Sequence, residues 1–223
     1  MAVRRVVIAA IMGQFGHPRG AAGRVAGWVM AHRRSNRQRN SWVVSLLEVQ
    51  PTKKVLEIGF GPGLDVAELS RRAGEQGQVS GILSDLMLRQ ATRRNAAGIA
   101  AGRVTLARAS VDRLPPALGG PFDASFAVNS LGLWPAPAGR LGELRRRLRA
   151  GGRIAIASQS RCPGATASTS RAAARKIEAL LQGAGYTKTR TQALGLNPPV
   201  VCVLAVNPGP DRGRSPPASD PTW

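Results

Sequence analysis

The chain has 223 residues, of which 43% are hydrophobic, and it is long enough for one α/β domain with a sizeable core. It contains no run of about 18 apolar residues that could span a membrane, and its two cysteines are too few for a disulfide framework or a metal cluster. The short apolar stretch at the N-terminus lacks a convincing signal-peptide cleavage site, so we expect a cytoplasmic protein. The net charge of +20 favours anionic partners such as RNA, acidic lipid or a phosphorylated substrate.

Residues 1–50 are predicted to form an N-terminal helical region. Apolar residues recur at helical spacing over 21–32 and again from Trp42 onward. The arginine-rich segment 33–39 lies between them and is predicted to be a joint. One interpretation places the aromatic side chains of this region over a ligand; the other packs them on the core and leaves the arginines solvated.

The segment from residue 55 to 64 is an apolar strand that turns abruptly into a helix. Gly59, Gly61 and Gly63 alternate along this turn, and glycine adopts positive φ and leaves no Cβ, so a bound molecule can approach the backbone closely. Glu57 is unusual, because a carboxylate within an apolar strand is costly unless it is paired or hydrogen-bonded. The pattern predicts a ligand site at the end of this strand.

Strands and helices are predicted to alternate along the rest of the chain, which indicates a parallel sheet. The predicted helices span residues 64–73, 85–101, 136–149 and 170–184, and the predicted strands after the first span 78–83, 103–109, 122–128 and 150–157, with two more from 185 and over 199–206. Residues 207–223 hold too little apolar surface to fold, and we expect a disordered tail.

Four segments, spread over about residues 50–206, resemble those of class I S-adenosylmethionine-dependent methyltransferases. The first is the acid and three glycines of Glu57-x-Gly59-x-Gly61-x-Gly63; the others are the segments 81–91, 110–115 and 122–134. The glycine pattern alone leaves two alternatives open, a dinucleotide site and a bare turn, but Leu64 stands where a dinucleotide motif has its third small residue. The likeness is strongest to the branch that includes ubiquinone and menaquinone biosynthetic enzymes, the type 11 methyltransferases.

This resemblance implies a Rossmann-like, seven-stranded, mostly parallel sheet with helices on both faces, a last strand that is antiparallel, and an N-terminal helical lid. The domains would be residues 1–50 for the lid, 51–206 for the cofactor-binding core and 207–223 for the tail. The cofactor would be S-adenosylmethionine. The cofactor-binding residues that the resemblance implies are Glu57, Gly59, Phe60, Gly61, Gly63, Ser84, Asp85, Met87, Ser110, Val111, Asn129 and Ser130.

One residue departs from the family pattern. The acid that binds both ribose hydroxyls in the family falls on Leu83, which offers no hydrogen bond. Asp85 follows two residues later and has two open roles, as a ribose ligand or as a first-turn acid of the next helix. Loss of a charge-assisted hydrogen bond would weaken cofactor binding by roughly one to two decades.

The substrate side of the site is predicted from the lid and from the loop after the fourth strand. The resemblance places Phe15, His17, Trp42 and Trp134 as pocket candidates, and His17 is the candidate general base. No metal constellation is expected. Methyl transfer by direct displacement needs mainly alignment of donor and acceptor.

Three functional hypotheses follow from the sequence. The first is methyl transfer to a small-molecule or lipid-like acceptor under the lid. The second is an RNA methyltransferase that uses the basic N-terminal segment for phosphate contacts. The third is a binding module without catalysis, in which Leu83 marks a degraded ribose site.

Overall fold

Strands and helices alternate along the chain in the computed structural model, which describes residues 33–59, 61–83, 85–160 and 162–210. The seven strands of the described residues are β1 (Lys54–Ile58), β2 (Gln78–Leu83), β3 (Val104–Arg108), β4 (Phe122–Val128), β5 (Leu148–Ser158), β6 (Thr187–Leu194) and β7 (Val200–Val206). The α-helices are α1 (Arg34–Leu46), α2 (Leu64–Ala73), α3 (Asp85–Arg94), α4 (Ala96–Ala100), α5 (Pro137–Arg147) and α6 (Ala167–Gly183). Two short 3₁₀ turns occupy Pro116–Leu118 and Leu131–Leu133.

The strands form one sheet in the order β3-β2-β1-β4-β5-β7-β6. Strands β1 to β5 run parallel, and β7 is antiparallel to both of its neighbours. The prediction of a seven-stranded, mostly parallel sheet with an antiparallel last strand is confirmed. Because the strand order reverses between β1 and β4, a ligand crevice is expected outside their carboxyl ends.

Apolar side chains cover both faces of the sheet. Leu56 of β1 belongs to a buried cluster with α5 and α6, whereas Val55 belongs to a second cluster with α1 and α2. Strand side chains alternate between faces, so Glu57 shares the α1 and α2 face with Val55. Cys202 of β7 is buried in the second cluster, as a small core residue would be.

Two local predictions about helices are corrected. The arginine-rich segment 33–39 is not a joint, because α1 begins at Arg34 and buries Asn36 and Arg39 on its inner face. The predicted helix 85–101 is divided at Asn95, whose side-chain amide donates to the carbonyl oxygens of Ala91 and Gly63. The predicted helix over 21–32 and the tail from residue 211 lie outside the described residues, and the division of the chain at residue 50 stays a prediction.

Within the described ranges, no helix combines the length and the hydropathy that a membrane crossing requires. No group of three or more metal-ligating side chains is found in the same ranges.

Candidate active site

The backbone turns sharply after β1 at two glycines. Gly59 has a φ of 81°, and a Cβ at this position would lie 2.7 Å from the Cβ of Ser130. The hydroxyl of Ser130 donates to the carbonyl oxygen of Ile58 at 2.8 Å, which ties the loop after β4 to the end of β1. Gly61 has a φ of 52°, and nothing lies within 4 Å of the place its Cβ would take. The turn therefore presents bare backbone at Gly61.

A cavity of about 1150 Å³ lies against this turn, outside the carboxyl ends of β1, β4 and β5. One wall is the inner face of α1 together with the glycine turn and the start of α2. The opposite wall consists of the loop after β4, the loop after β5, one face of α6 and the connection from β6 to β7. The cavity thus occupies the crevice that the strand order predicts.

Hydrogen bonds join the two walls through Gln159. The backbone amide of Gln159 donates to Oδ1 of Asn129 at 2.7 Å, and its side-chain amide donates to the carbonyl oxygen of Pro198 at 2.9 Å. From α1, Nη1 of Arg39 donates to Oε1 of Gln159 at 3.3 Å. Asn129 has a φ of 55°, a conformation that asparagine tolerates better than most residues. These contacts fix α1 over the ends of β4 and β5.

Two buried carboxyl groups line the α1 side of the cavity. Glu57 of β1 is 1% exposed and Asp65 of α2 is 5% exposed. Nδ2 of Asn40 donates to Oδ2 of Asp65 at 2.8 Å, and Nε of Arg39 donates to Oδ1 of Asn40 at 3.0 Å.

Burial shifts both of these acids in the same direction. Burial raises the pKa of Glu57 well above its ordinary range, and the charge of Asp65 raises it further. Burial also raises the pKa of Asp65 to about 6, although the hydrogen bond from Asn40 and the charge of Arg39 act in the opposite direction.

The far side of the cavity is largely apolar. Ala173, Lys176, Ile177 and Leu180 of α6 all line it, and their spacing places them on one helical face. Leu131, Leu133 and Trp134 line it from the loop after β4, where Trp134 is buried in the core and Leu133 is 51% exposed. Apolar side chains thus dominate this wall, and Lys176 contributes a positive charge to it.

A family model described as a methyltransferase domain matches residues 55–152. An uncharacterized methyltransferase of Bacillus subtilis (strain 168), YdaC, is 28% identical over 187 residues, which are 82% of this chain and 98% of the relative. The predicted likeness to methyltransferases is confirmed. The predictions that this methyltransferase is an enzyme and that it depends on S-adenosylmethionine are confirmed.

Solved structures show the same fold. A methyltransferase from Aquifex aeolicus, described as dependent on S-adenosylmethionine, superposes with a TM-score of 0.59 at 20% identity over 74% of this chain and 88% of that chain. The N-methyltransferase NodS from Bradyrhizobium japonicum WM9, solved with S-adenosylhomocysteine, superposes with a TM-score of 0.61 at 15% identity over 81% of this chain and 91% of that chain.

Many of the predicted site residues meet in the cavity of this methyltransferase. The predicted cofactor and substrate residues that line it are Glu57, Gly59, Gly61, Met87, Asn129, Ser130 and Trp134. Phe15, His17, Phe60 and Ser84 lie outside the described residues, as does the side chain of Asp85. The choice between Leu83 and Asp85 at the ribose therefore stays a prediction.

The structure places four predicted residues away from the cavity lining. Gly63 serves packing, because a Cβ there would lie 2.7 Å from the Cβ of Ala91. The side chain of Trp42 packs against the core cluster of α1 and α2, Val111 is buried in the other cluster, and Ser110 is exposed. A hydrogen bond from Ser110 helps to hold the pKa of the Asp112 carboxyl below its usual range, so the Ser110 hydroxyl is engaged locally.

Sequence reasoning missed five polar residues that line the cavity, Asn36, Arg39, Asn40, Asp65 and Gln159. Asn36, Arg39 and Asn40 share one face of α1 with Val43, and polar residues on an otherwise apolar helix face were a usable signal. Asp65 in the first turn of an apolar helix was a second such signal. No sequence pattern indicated Gln159, because its contact with Asn129 positions it in the site.

Proposed function

We propose that this methyltransferase transfers the methyl group of S-adenosylmethionine to a small acceptor with an apolar body. The observation that carries the proposal is that one cavity is lined both by the bare glycine turn and by an apolar wall. Ligand pockets commonly enclose roughly 300–1,000 Å³, and this cavity encloses about 1150 Å³. The volume supports binding of a donor and an acceptor side by side.

The residues at the glycine turn fit the cofactor. A Cβ would fill free space at Gly61, so its backbone can support a ligand directly. Oε2 of Glu57 is buried without a hydrogen-bond partner among the described residues, and Glu57 lines the same part of the cavity. We assign the cofactor to Gly59, Gly61 and Glu57, with Asn129 and Ser130 beside them.

When bound, the cofactor supplies an electrophilic methyl group on a sulfonium. The protein must then orient the acceptor and exclude water. Proximity and alignment of donor and acceptor can by themselves give a large increase in rate. Trp134 and Leu131 line the cavity from the loop that also contains Asn129. His17 remains the predicted base for acceptors that must lose a proton.

The wall formed by the loop after β4 and by α6 supports an apolar acceptor. Leu131, Ile177 and Leu180 line it, and Leu133 is exposed at its edge. Lys176 gives this wall a positive charge, which suits an acceptor that also carries an anionic group. A small-molecule or lipid-like acceptor fits this combination.

RNA is a second candidate acceptor, because α1 carries exposed arginines. Arg33 lines the cavity, and Arg34 and Arg37 are exposed nearby on the same helix. Such side chains contact phosphates with a strong dependence on salt. Arg39, in contrast, is buried and bonded to Gln159 and Asn40, so it belongs to the wall of the cavity.

The proposal is tested by incubating the protein with methyl-labelled S-adenosylmethionine and fractionated host extract. We expect label in the small-molecule or lipid fraction, abolished by Gly61→Val, which places a branched side chain on the bare turn. Gly142→Ala is the matched control, because Gly142 lies in α5 with nothing within 4 Å of its Cβ position. Label in RNA that declines as salt is added would favour the second candidate and contradict the first.

A further inference from the structure

Lys176 places an unpaired positive charge on the apolar wall of the cavity. It lines the cavity from α6 together with Ala173, Ile177 and Leu180. Among the described residues, none forms a hydrogen bond or an ion pair with its side chain. A lysine ammonium has three donors and no acceptor. Its charge and its donors are therefore available to a ligand.

The acids nearest to this wall are engaged elsewhere. Glu178 follows Lys176 by two positions in α6, a spacing that does not bring side chains together on a helix. Its Oε1 accepts a hydrogen bond from the hydroxyl of Thr189 on β6 at 3.0 Å. Within the described lining, the acids are Glu57 and Asp65, which belong to β1 and α2 on the side of α1. The charges of the lining are thus divided, with both acids on one side and Lys176 on the other.

The arginines of the described lining are placed differently from Lys176. Arg39 is buried and donates to Gln159 and Asn40, and Arg33 comes just before α1 on the opposite wall. Lys176 instead shares its helical face with apolar side chains, because residues three and four apart are neighbours on a helix. A ligand lying along this face of α6 would meet a positive charge directly beside an apolar surface.

We propose that Lys176 selects, as the methyl acceptor, a small amphipathic molecule that carries an anionic group next to its apolar body. The anionic group pairs with Nζ of Lys176, and the apolar body lies along Ala173, Ile177 and Leu180. A neutral acceptor of the same shape lacks the first contact and binds more weakly. The inference rests on the proposed function, because it concerns the acceptor in the same cavity, and it adds the residue that reads the acceptor's charge.

Two fluorescent probes that differ in one anionic group test the inference although the acceptor itself is unidentified. Anilinonaphthalene sulfonate and phenylnaphthylamine share an aromatic skeleton, and the first alone carries a sulfonate. In titrations of the full chain at low salt, both should bind saturably, and the sulfonate should bind about fivefold more tightly, as expected for one contact with an exposed charge. Added salt should reduce this preference.

Lys176→Gln removes the charge and keeps a polar side chain. We expect it to bind anilinonaphthalene sulfonate about fivefold more weakly and phenylnaphthylamine as the wild type does. Lys176→Arg keeps the charge and should keep the preference. Lys188→Gln is the matched control for net charge, because Lys188 is exposed on β6 and does not line the cavity.

Ala173→Phe shows whether the probes occupy the cavity. It adds a ring to the α6 wall without changing any charge, so it should weaken the binding of both probes, with circular dichroism to check that the variant is folded. Competition then compares anionic groups. Decanoate and decyl phosphate should both displace the bound sulfonate better than decanol does, and the stronger of the two identifies the preferred group.

Several results would overturn the inference. They are an absence of saturable binding, an equal effect of Lys176→Gln on the two probes, an equal loss in Lys188→Gln, unchanged binding by Ala173→Phe, and displacement by decanol as effective as by the anions. Calorimetry with S-adenosylhomocysteine tests the proposed function separately, and Lys176→Gln should bind it as the wild type does. If S-adenosylhomocysteine binds but the preference for the anion is absent, the inference fails and the proposed function stands. If S-adenosylhomocysteine does not bind the wild type, the proposed function fails, and Lys176 then reads no methyl acceptor.

Discussion

Replacement of Gly59 by alanine tests how the glycine turn is built. The residue has a φ of 81°, and its added Cβ would lie 2.7 Å from the Cβ and 3.0 Å from Oγ of Ser130. The Ser130 hydroxyl in turn holds the carbonyl oxygen of Ile58. The substitution therefore combines backbone strain with a steric conflict against a buried, hydrogen-bonded residue.

The two costs can be separated with Gly61→Ala. A left-handed conformation costs a non-glycine residue about 1–2 kcal/mol, and Gly61 would incur this cost alone because nothing lies within 4 Å of its Cβ position. Overpacking typically adds about 1–3 kcal/mol. We therefore expect Gly59→Ala to lower the free energy of unfolding by about 2–5 kcal/mol and Gly61→Ala by about 1–2 kcal/mol.

Urea unfolding followed by circular dichroism measures both variants. The difference between them reports the conflict with Ser130, since the strain is common to the two. Equal destabilisation by the two substitutions would show that the loop after β4 moves aside without cost, and the close approach of Ser130 to the turn would then be unimportant for stability.

Three further predictions concern buried polar side chains. The pKa of Asp65 is raised from an ordinary value of 3.8 to about 6, so the folded state favours the protonated acid. The free energy of unfolding therefore falls as pH rises through this range. Urea titrations should show the wild type losing on the order of 2–3 kcal/mol relative to Asp65→Asn between pH 4 and pH 7. Asn40→Ala removes the donor to ionised Asp65 and should lower the free energy of unfolding by about 1.5–3 kcal/mol at pH 8 but by less at pH 5. An equal loss at both pH values would contradict the ionisation of Asp65 between them. Asn207 donates to the carbonyl oxygens of Arg145 and Leu148, so Asn207→Ala should lower unfolding free energy by about 2–3 kcal/mol without changing calorimetric affinity for S-adenosylhomocysteine.

The architecture of the sheet could be predicted from the sequence because its signals are local. An apolar run that ends in Gly59, Gly61 and the following helix marks a buried strand, a turn and a helix start, and later segments repeat the alternation. The apolar run that became β7 is buried over nearly its whole length, as a central strand requires. Its antiparallel direction came from the family resemblance alone.

The prediction of a joint at residues 33–39 was wrong because the stabilising contacts there are not local. Arginines and asparagines in this segment predict a solvent-exposed connection between helices. Arg39 is nevertheless buried, because Gln159, 120 residues away in the chain, accepts its hydrogen bond. Asn40 is similarly matched by Asp65 on another helix. A polar residue on a helix face predicts burial only when its partner is known, and periodicity does not supply partners.

The same long-range contacts connect α1 to the buried acid of α2 and to the loop after β4. Asp65 is held by Asn40, Asn40 by Arg39, and Arg39 by Gln159, whose backbone amide is bonded to Asn129. A change of charge at the carboxyl pair would therefore alter the strength of the bond that fixes α1 to α2, because a hydrogen bond to an ionised acceptor is the stronger one. Protonation of Asp65 at low pH would weaken the same contact, so the position of the cavity wall formed by α1 depends on the charge of Asp65.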